Sequence, residues 1–226
     1  MKAITISKTG NIEYKEVQEP KISKGYAKVR VKAAGLCGSD IQKIFSDKKA
    51  LKSITTNIMG HEIVGVIEEI DSNADKFKKN DRVVINPLIR NGNEDITKVK
   101  SIGKDFSGGF ADYVLTPYKN LRKLPKEITF EEATLVDSIA VAIHGYHLAS
   151  SPKNKEALII GDGSLALITG IICLNFDNKV AIIGKNDSNL KLAKTLGMNL
   201  INYKSIEKLK QKYDVVFEVV GRKSIE

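Results

Sequence analysis

The stretch Ala157-Leu158-Ile159-Ile160-Gly161-Asp162-Gly163-Ser164-Leu165-Ala166 constrains the fold of this chain more than any other. Its first four residues read as a buried strand, and the apolar residues from Leu165 to Leu174 read as a helix. Gly-x-Gly-x-x-Ala between a strand and a helix is the fingerprint of a dinucleotide-binding turn. Gly161 permits the tight turn, Gly163 lets a pyrophosphate approach the helix N-terminus, and Ala166 keeps the helix close to the sheet. Gly161, Gly163, Ser164, Leu165 and Ala166 are therefore the expected cofactor contacts.

The residues that follow extend this pattern. A second strand over 180–183 ends in Gly184-Lys185, a helix over 187–196 stops at Gly197, and strands over 199–202 and 215–219 flank a helix over 206–212. These are the first four strands of a doubly wound parallel sheet, whose full order is 3-2-1-4-5-6. A fold that prefers NAD places an acid about 20 residues past the glycines, on the ribose hydroxyls. Here that place falls at Gly184, with Lys185 next to it. The missing acid and the added cation favour a 2′-phosphate, so NADP is expected over NAD; the alternative is that Asp187 supplies the acid.

The first 125 residues differ in kind. Short runs at 4–7, 12–17, 27–33, 61–70, 82–86 and 110–116 alternate apolar and polar residues between Gly, Pro and Asn. One helix is expected over 39–46, with Ile41, Ile44 and Phe45 on one face. Such a pattern suits a partly open β-barrel. Two motifs in it carry chemistry: Gly35-Leu36-Cys37-Gly38-Ser39-Asp40 and Gly60-His61-Glu62. A lone cysteine is most often a small buried hydrophobe, and a lone histidine a satisfied core residue. Thiolate and imidazole together suit zinc, and their separation resembles an open site built from distant loops rather than a zinc finger.

Composition narrows the partners. The two cysteines, Cys37 and Cys173, exclude a disulfide framework and suit a reducing cytoplasm. No apolar run approaches the roughly 20 residues of a membrane helix. The net charge of +9 comes from lysines scattered along the chain. Nucleic-acid binders cluster charge on one element among aromatics, so neither nucleic acid nor membrane is an expected partner. An anionic small molecule fits better.

Together with Gly108-Gly109-Phe110-Ala111-Asp112-Tyr113-Val114 and the nucleotide turn, the two motifs resemble the medium-chain, zinc-dependent alcohol and polyol dehydrogenase family. The resemblance implies an α/β chain: a GroES-like β-barrel domain over 1–150, junction helix included, then a partial Rossmann domain over 151–226. It implies that Cys37 and His61 are catalytic zinc ligands and that Glu62 is a carboxylate able to exchange in and out of coordination. Ser39 stands where the family's proton-relay hydroxyl stands, and Asp40 where a carboxylate orients the histidine. Many relatives also carry four cysteines between Pro87 and Phe110 that bind a structural zinc. Asn91-Gly92-Asn93-Glu94-Asp95 offers none, so one catalytic zinc and no structural zinc is expected.

Thr129-Phe130-Glu131-Glu132 is a capping box, followed by a helical pattern through Ala149. Asp137 occupies the place of a further zinc ligand in the family, and its apolar neighbours make an unpaired carboxylate costly there. His144 and His147 read as packed helix residues. The expected function is an oxidoreductase that transfers hydride between an alcohol or polyol and NADP(H) or NAD(H), homo-oligomeric if the chain is longer. The alternative is a truncated, non-catalytic remnant that binds zinc or nucleotide. A zinc-free quinone reductase is disfavoured by the presence of both Cys37 and His61.

Overall fold

In the computed structural model of the chain, residues 1–45, 51–90, 95, 99–204 and 211–220 are described. They fall into two compact units, Met1–Val136 and Asp137–Glu226. The first contains β1 (Lys2–Ile6), β2 (Ile12–Glu16), β3 (Tyr26–Gly35), α1 (Gly38–Phe45), β4 (Glu62–Ile70) and β5 (Arg82–Ile85). Then come β6 (Leu88–Ile89), β7 (Lys100–Ser101), β8 (Tyr113–Pro117), β9 (Leu121–Lys123) and α2 (Phe130–Ala133).

A five-stranded sheet in the order β8-β3-β4-β5-β9 forms its centre, every pair antiparallel. Alternation along these strands sends Val29, Ile63, Ile67, Val83, Ile85 and Val114 into one core, none more than 2% exposed. β3 is the central scaffold: it pairs on both sides, and two register irregularities bend it before it reaches Gly35 opposite Glu62. The two short pairs β1-β2 and β6-β7 lie outside the main sheet, an open arrangement of the kind the strand pattern indicated.

The second unit contains all but the first residue of α3 (Val136–Leu148), then β10 (Glu156–Ile160), α4 (Ser164–Asn175), β11 (Lys179–Gly184), α5 (Asp187–Thr195), β12 (Asn199–Asn202) and β13 (Val215–Glu218). Its strands order as β12-β11-β10-β13, all parallel. That is the 3-2-1-4 start of a doubly wound sheet. Residues 206–210 of the helix expected over 206–212 and residues 91–94 of the polar loop lie outside the described residues. No helix among the described residues is long and apolar enough to cross a membrane.

The helical pattern after the capping box differs from the single helix expected. It is two helices, because Thr134 and Leu135 bond back three residues, N–H to Glu131 and Glu132 carbonyls. The Thr134 hydroxyl also donates to the Glu131 carbonyl at 2.7 Å. The capping box itself is formed: Thr129 Oγ1 accepts from Glu132 N–H, and the Glu132 carboxylate accepts from Thr129 N–H. α3 then packs by Ala142 and Tyr146. Tyr146 is wholly buried beside Ala157, Ile159 and Phe217 of the second core. His144 and His147 are exposed rather than packed, and His147 Nδ1 lies 2.8 Å from Ser151 Oγ.

Candidate functional site

His61 sits just before β4, where the chain has turned through Gly60 at φ +91°. Glycines hold that turn from outside. Gly108 N–H donates to the Ile58 carbonyl, Gly109 N–H to Gly60 and Phe110 N–H to Met59, at 2.8, 2.9 and 3.0 Å. A Cβ on Gly108 would stand 2.3 Å from the Met59 and Gly60 carbonyl oxygens, and one on Gly103 would stand 2.7 Å from the latter. The Gly108-Gly109-Phe110 motif is thus a backbone clamp on the segment that delivers His61.

Cys37 lies in the turn from β3 into α1, and Asp40 ties it down. The wholly buried Asp40 carboxylate accepts from Cys37 N–H through Oδ2 at 3.3 Å. Its Oδ1 stands 3.5 Å from His61 Nδ1, an ion-pair separation, and has no hydrogen-bond partner. One carboxylate therefore fixes the backbone of the thiol and faces the δ-nitrogen of the imidazole, leaving Nε2 for another partner. Glu62 reaches the same place from β4. Its carboxylate occupies the space beside Gly35, where a Cβ would stand 1.9 Å from Glu62 Oε2.

These constraints converge on a group of donors. One ligand atom each from Cys37, His61 and Glu62 lies within 4.8 Å of the others. Bonds of about 2.0–2.3 Å at tetrahedral angles place ligand atoms roughly 3.3–3.8 Å apart, so side-chain closure of about 1–1.5 Å at most brings all three within reach. Sulfur, nitrogen and oxygen together form a zinc-type donor set, and the orphaned Asp40 oxygen finds its partner when the imidazole is held as a ligand. The residues fit the metal.

Protonation agrees. The Asp40 carboxylate, and then the Cys37 sulfur, raise His61 to about 10. His61 lowers the Cys37 thiol, with the Ser39 hydroxyl and N–H adding to the effect against burial. Without metal the site thus stores a proton on His61. That charge stabilises the metal-free fold fully below about pH 6.5, the unfolded value, and the stabilisation is lost as pH rises through about 10. Since metal must displace the proton, zinc affinity measured against a chromophoric chelator should climb steadily from pH 6 to 9. A flat profile would contradict the arrangement.

Asp137 opens α3 in the second unit. There too lies the nucleotide turn. Gly161 adopts φ +125°, and a Cβ on it would press to 3.2 Å on Val219 and Val220. Gly163 caps α4 in an extended conformation, and a Cβ there would meet no protein atom within 4 Å. Ser164 and Leu165 open α4, and Ala166 is 1% exposed against the sheet. Lys185 Nζ stands 5.2 Å from the centroid of the Tyr203 ring.

Sequence reasoning passed over Asp162. Its Oδ2 accepts from the backbone N–H groups of Lys185 and Asn186, at 2.5 and 2.6 Å. The signal was present as a carboxylate between the two glycines of the turn.

A GroES-like sheet unit carrying a thiol–imidazole–carboxylate group, and a Rossmann unit carrying a glycine turn, define a two-domain α/β protein of dehydrogenase type. The alcohol dehydrogenase GroES-like domain family matches residues 23–126. Galactitol 1-phosphate 5-dehydrogenase of Escherichia coli is 30% identical over an alignment of 208 residues that covers 87% of this chain and 59% of that protein. The NAD-dependent alcohol dehydrogenase of Sulfolobus acidocaldarius is 30% identical over 244 residues, covering 98% of this chain and 71% of that protein. The crystal structure of galactitol-1-phosphate dehydrogenase from Escherichia coli matches with a TM-score of 0.84 at 28% identity, over 91% of this chain and 62% of that one. The chain belongs to the medium-chain, zinc-dependent alcohol and polyol dehydrogenase family. It spans about three-fifths of the length of the galactitol 1-phosphate enzyme.

Proposed function

We propose that this chain carries the zinc site and the adenosine side of the cofactor site of an oxidoreductase that interconverts an alcohol or polyol with its carbonyl. The observation that carries the reading is the convergence of Cys37, His61 and Glu62 donor atoms within 4.8 Å. When bound, zinc supplies Lewis acidity that makes a substrate hydroxyl more acidic, and NADP or NAD accepts the hydride.

The chain's own residues do the rest. Cys37 and His61 hold the metal, with Glu62 as a carboxylate that exchanges with substrate. Asp40 keeps the His61 proton at Nδ1, so that Nε2 offers its lone pair. Ser39 Oγ, which already approaches the Cys37 sulfur, takes the proton from the substrate hydroxyl and passes it towards water. One zinc per chain is expected. The turn at 161–166 receives the pyrophosphate on the α4 N-terminus, and Gly184 and Lys185 face the adenosine ribose. Lys185 supports a preference for NADP over NAD, as a point charge without the fork of an arginine.

The test is direct. The natural protein should retain about one zinc per chain and oxidise at least one member of an alcohol and polyol panel, faster with NADP than with NAD. Metal-free protein that is inert across the panel with both cofactors would overturn the reading, and a marked preference for NAD would remove the Lys185 argument alone.

A further inference from the structure

The carboxyl end of β11 is where an acid would meet the ribose hydroxyls, and the strand itself supplies Gly184. The space that a side chain at 184 would fill is taken. A Cβ on Gly184 would stand 2.3 Å from Asp162 Cβ and 2.4 Å from Asp162 Oδ2. The glycine turn has therefore lent its own carboxylate to the strand end. Asp162 Oδ2 then accepts from both Lys185 N–H and Asn186 N–H. Asn186 is the N-cap of α5, and its own Oδ1 accepts from Asn189 N–H at 3.1 Å.

Two convergent backbone donors at the head of a helix are a seat for an anion. In this chain the anion on that seat is Asp162. A 2′-phosphate arriving there would have to displace a carboxylate or lie against it, with like charges in contact. A 2′-hydroxyl would instead donate to it. The neighbouring cation does not cancel this charge at the seat: Lys185 Nζ is drawn over the Tyr203 ring, which Lys204 Nζ also approaches at 6.0 Å.

We infer that Asp162 is a specificity-determining residue of the dinucleotide site, acting on the adenosine 2′ position in opposition to Lys185. Its carboxylate holds the backbone donors that a 2′-phosphate would use, and it offers an acceptor to a 2′-hydroxyl. The selectivity between NADP and NAD is then a balance of two charges that reach the same strand end from different segments, one from the turn at 161–163 and one from β11. This rests on reading the turn as an adenine dinucleotide site.

Adenosine fragments test it without turnover. Binding of 5′-AMP and of adenosine 2′,5′-bisphosphate to the full chain is measured by calorimetry for the parent, Asp162→Asn, Asp162→Ser and Lys185→Gln. Asn and Ser keep an acceptor for the turn and remove the charge. Both should shift the affinity ratio towards the bisphosphate by about tenfold, and Lys185→Gln should shift it the other way. Equal changes for both ligands would make Asp162 a support of the turn alone and overturn the inference while leaving the site standing. Failure of the parent to bind either fragment would overturn the dinucleotide reading and the inference with it. Serine serves if the asparagine variant does not fold.

Discussion

Cys37→Ser is expected to yield a folded chain that no longer retains zinc, its affinity lower by about a thousandfold or more. A serine hydroxyl at neutral pH remains protonated, whereas the metal is held by a thiolate. The site is prepared for that anion: His61, Ser39 Oγ and Ser39 N–H all lower the Cys37 thiol. Replacing sulfur by oxygen deletes no carbon, and Cys37 is only half-buried. Stability of the metal-free fold should therefore move by less than about 1 kcal/mol. Metal analysis after gel filtration, with chelator competition for the affinity, reads the first effect, and urea unfolding of the stripped protein reads the second. Stoichiometric zinc held by the variant at parental affinity would remove Cys37 from the metal site, and the proposed chemistry with it.

What could be read from the sequence and what could not divide along a physical line. Gly161, Gly163 and Ala166 answer local demands of a strand–turn–helix, so the turn was legible from spacing alone. The strands β1, β3, β4, β5 and β8 were legible from period-2 alternation because one face of each enters a core, whereas β2 is exposed throughout and is held by its pairing with β1. The expected strand over 61–70 lost only its first residue, since Gly60 at φ +91° leaves His61 in the turn and β4 starts at Glu62. The break between α2 and α3 was not legible, because Thr134 and Leu135 fit a helical period while their backbone bonds close three residues back. His147 was misassigned as packed for a related reason: it fits a helical period as well as Tyr146 does, and only the location of the second core selects between them.

The site shows the same division. Cys37, Asp40, His61 and Glu62 were legible as types, yet the role of Asp40 as a double tie needs the angle between α1 and the turn before β4. Asp162 was illegible because its partners, Lys185 and Asn186, are 23 and 24 residues away and contribute only backbone. A side chain that bonds to main-chain N–H leaves no complementary residue to find.

The glycine clamp leads to the second large effect. Gly108→Ala should destabilise the first unit by about 2–4 kcal/mol and lower zinc retention with it. The added Cβ would meet two carbonyl oxygens, of Met59 and Gly60, at 2.3 Å each. These are main-chain atoms, so no rotamer change relieves the contact. The loop around Gly108 must move away, and three bonds move with it, to Ile58, Met59 and Gly60. Because Gly60 is the residue before His61, the displacement is transmitted to the imidazole, and small misplacements of a ligand are costly to a metal site. Gly145→Ala is the control. It lies within α3 with nothing inside 4 Å of the added carbon, so it should be neutral or stabilising by up to about 1 kcal/mol. Urea midpoints and zinc content of the two variants are compared with the parent. If Gly108→Ala unfolds at the parental midpoint with full zinc, the close approach of 108 to 59 and 60 does not position His61, and the family motif at 108–110 must be explained by something other than this clamp.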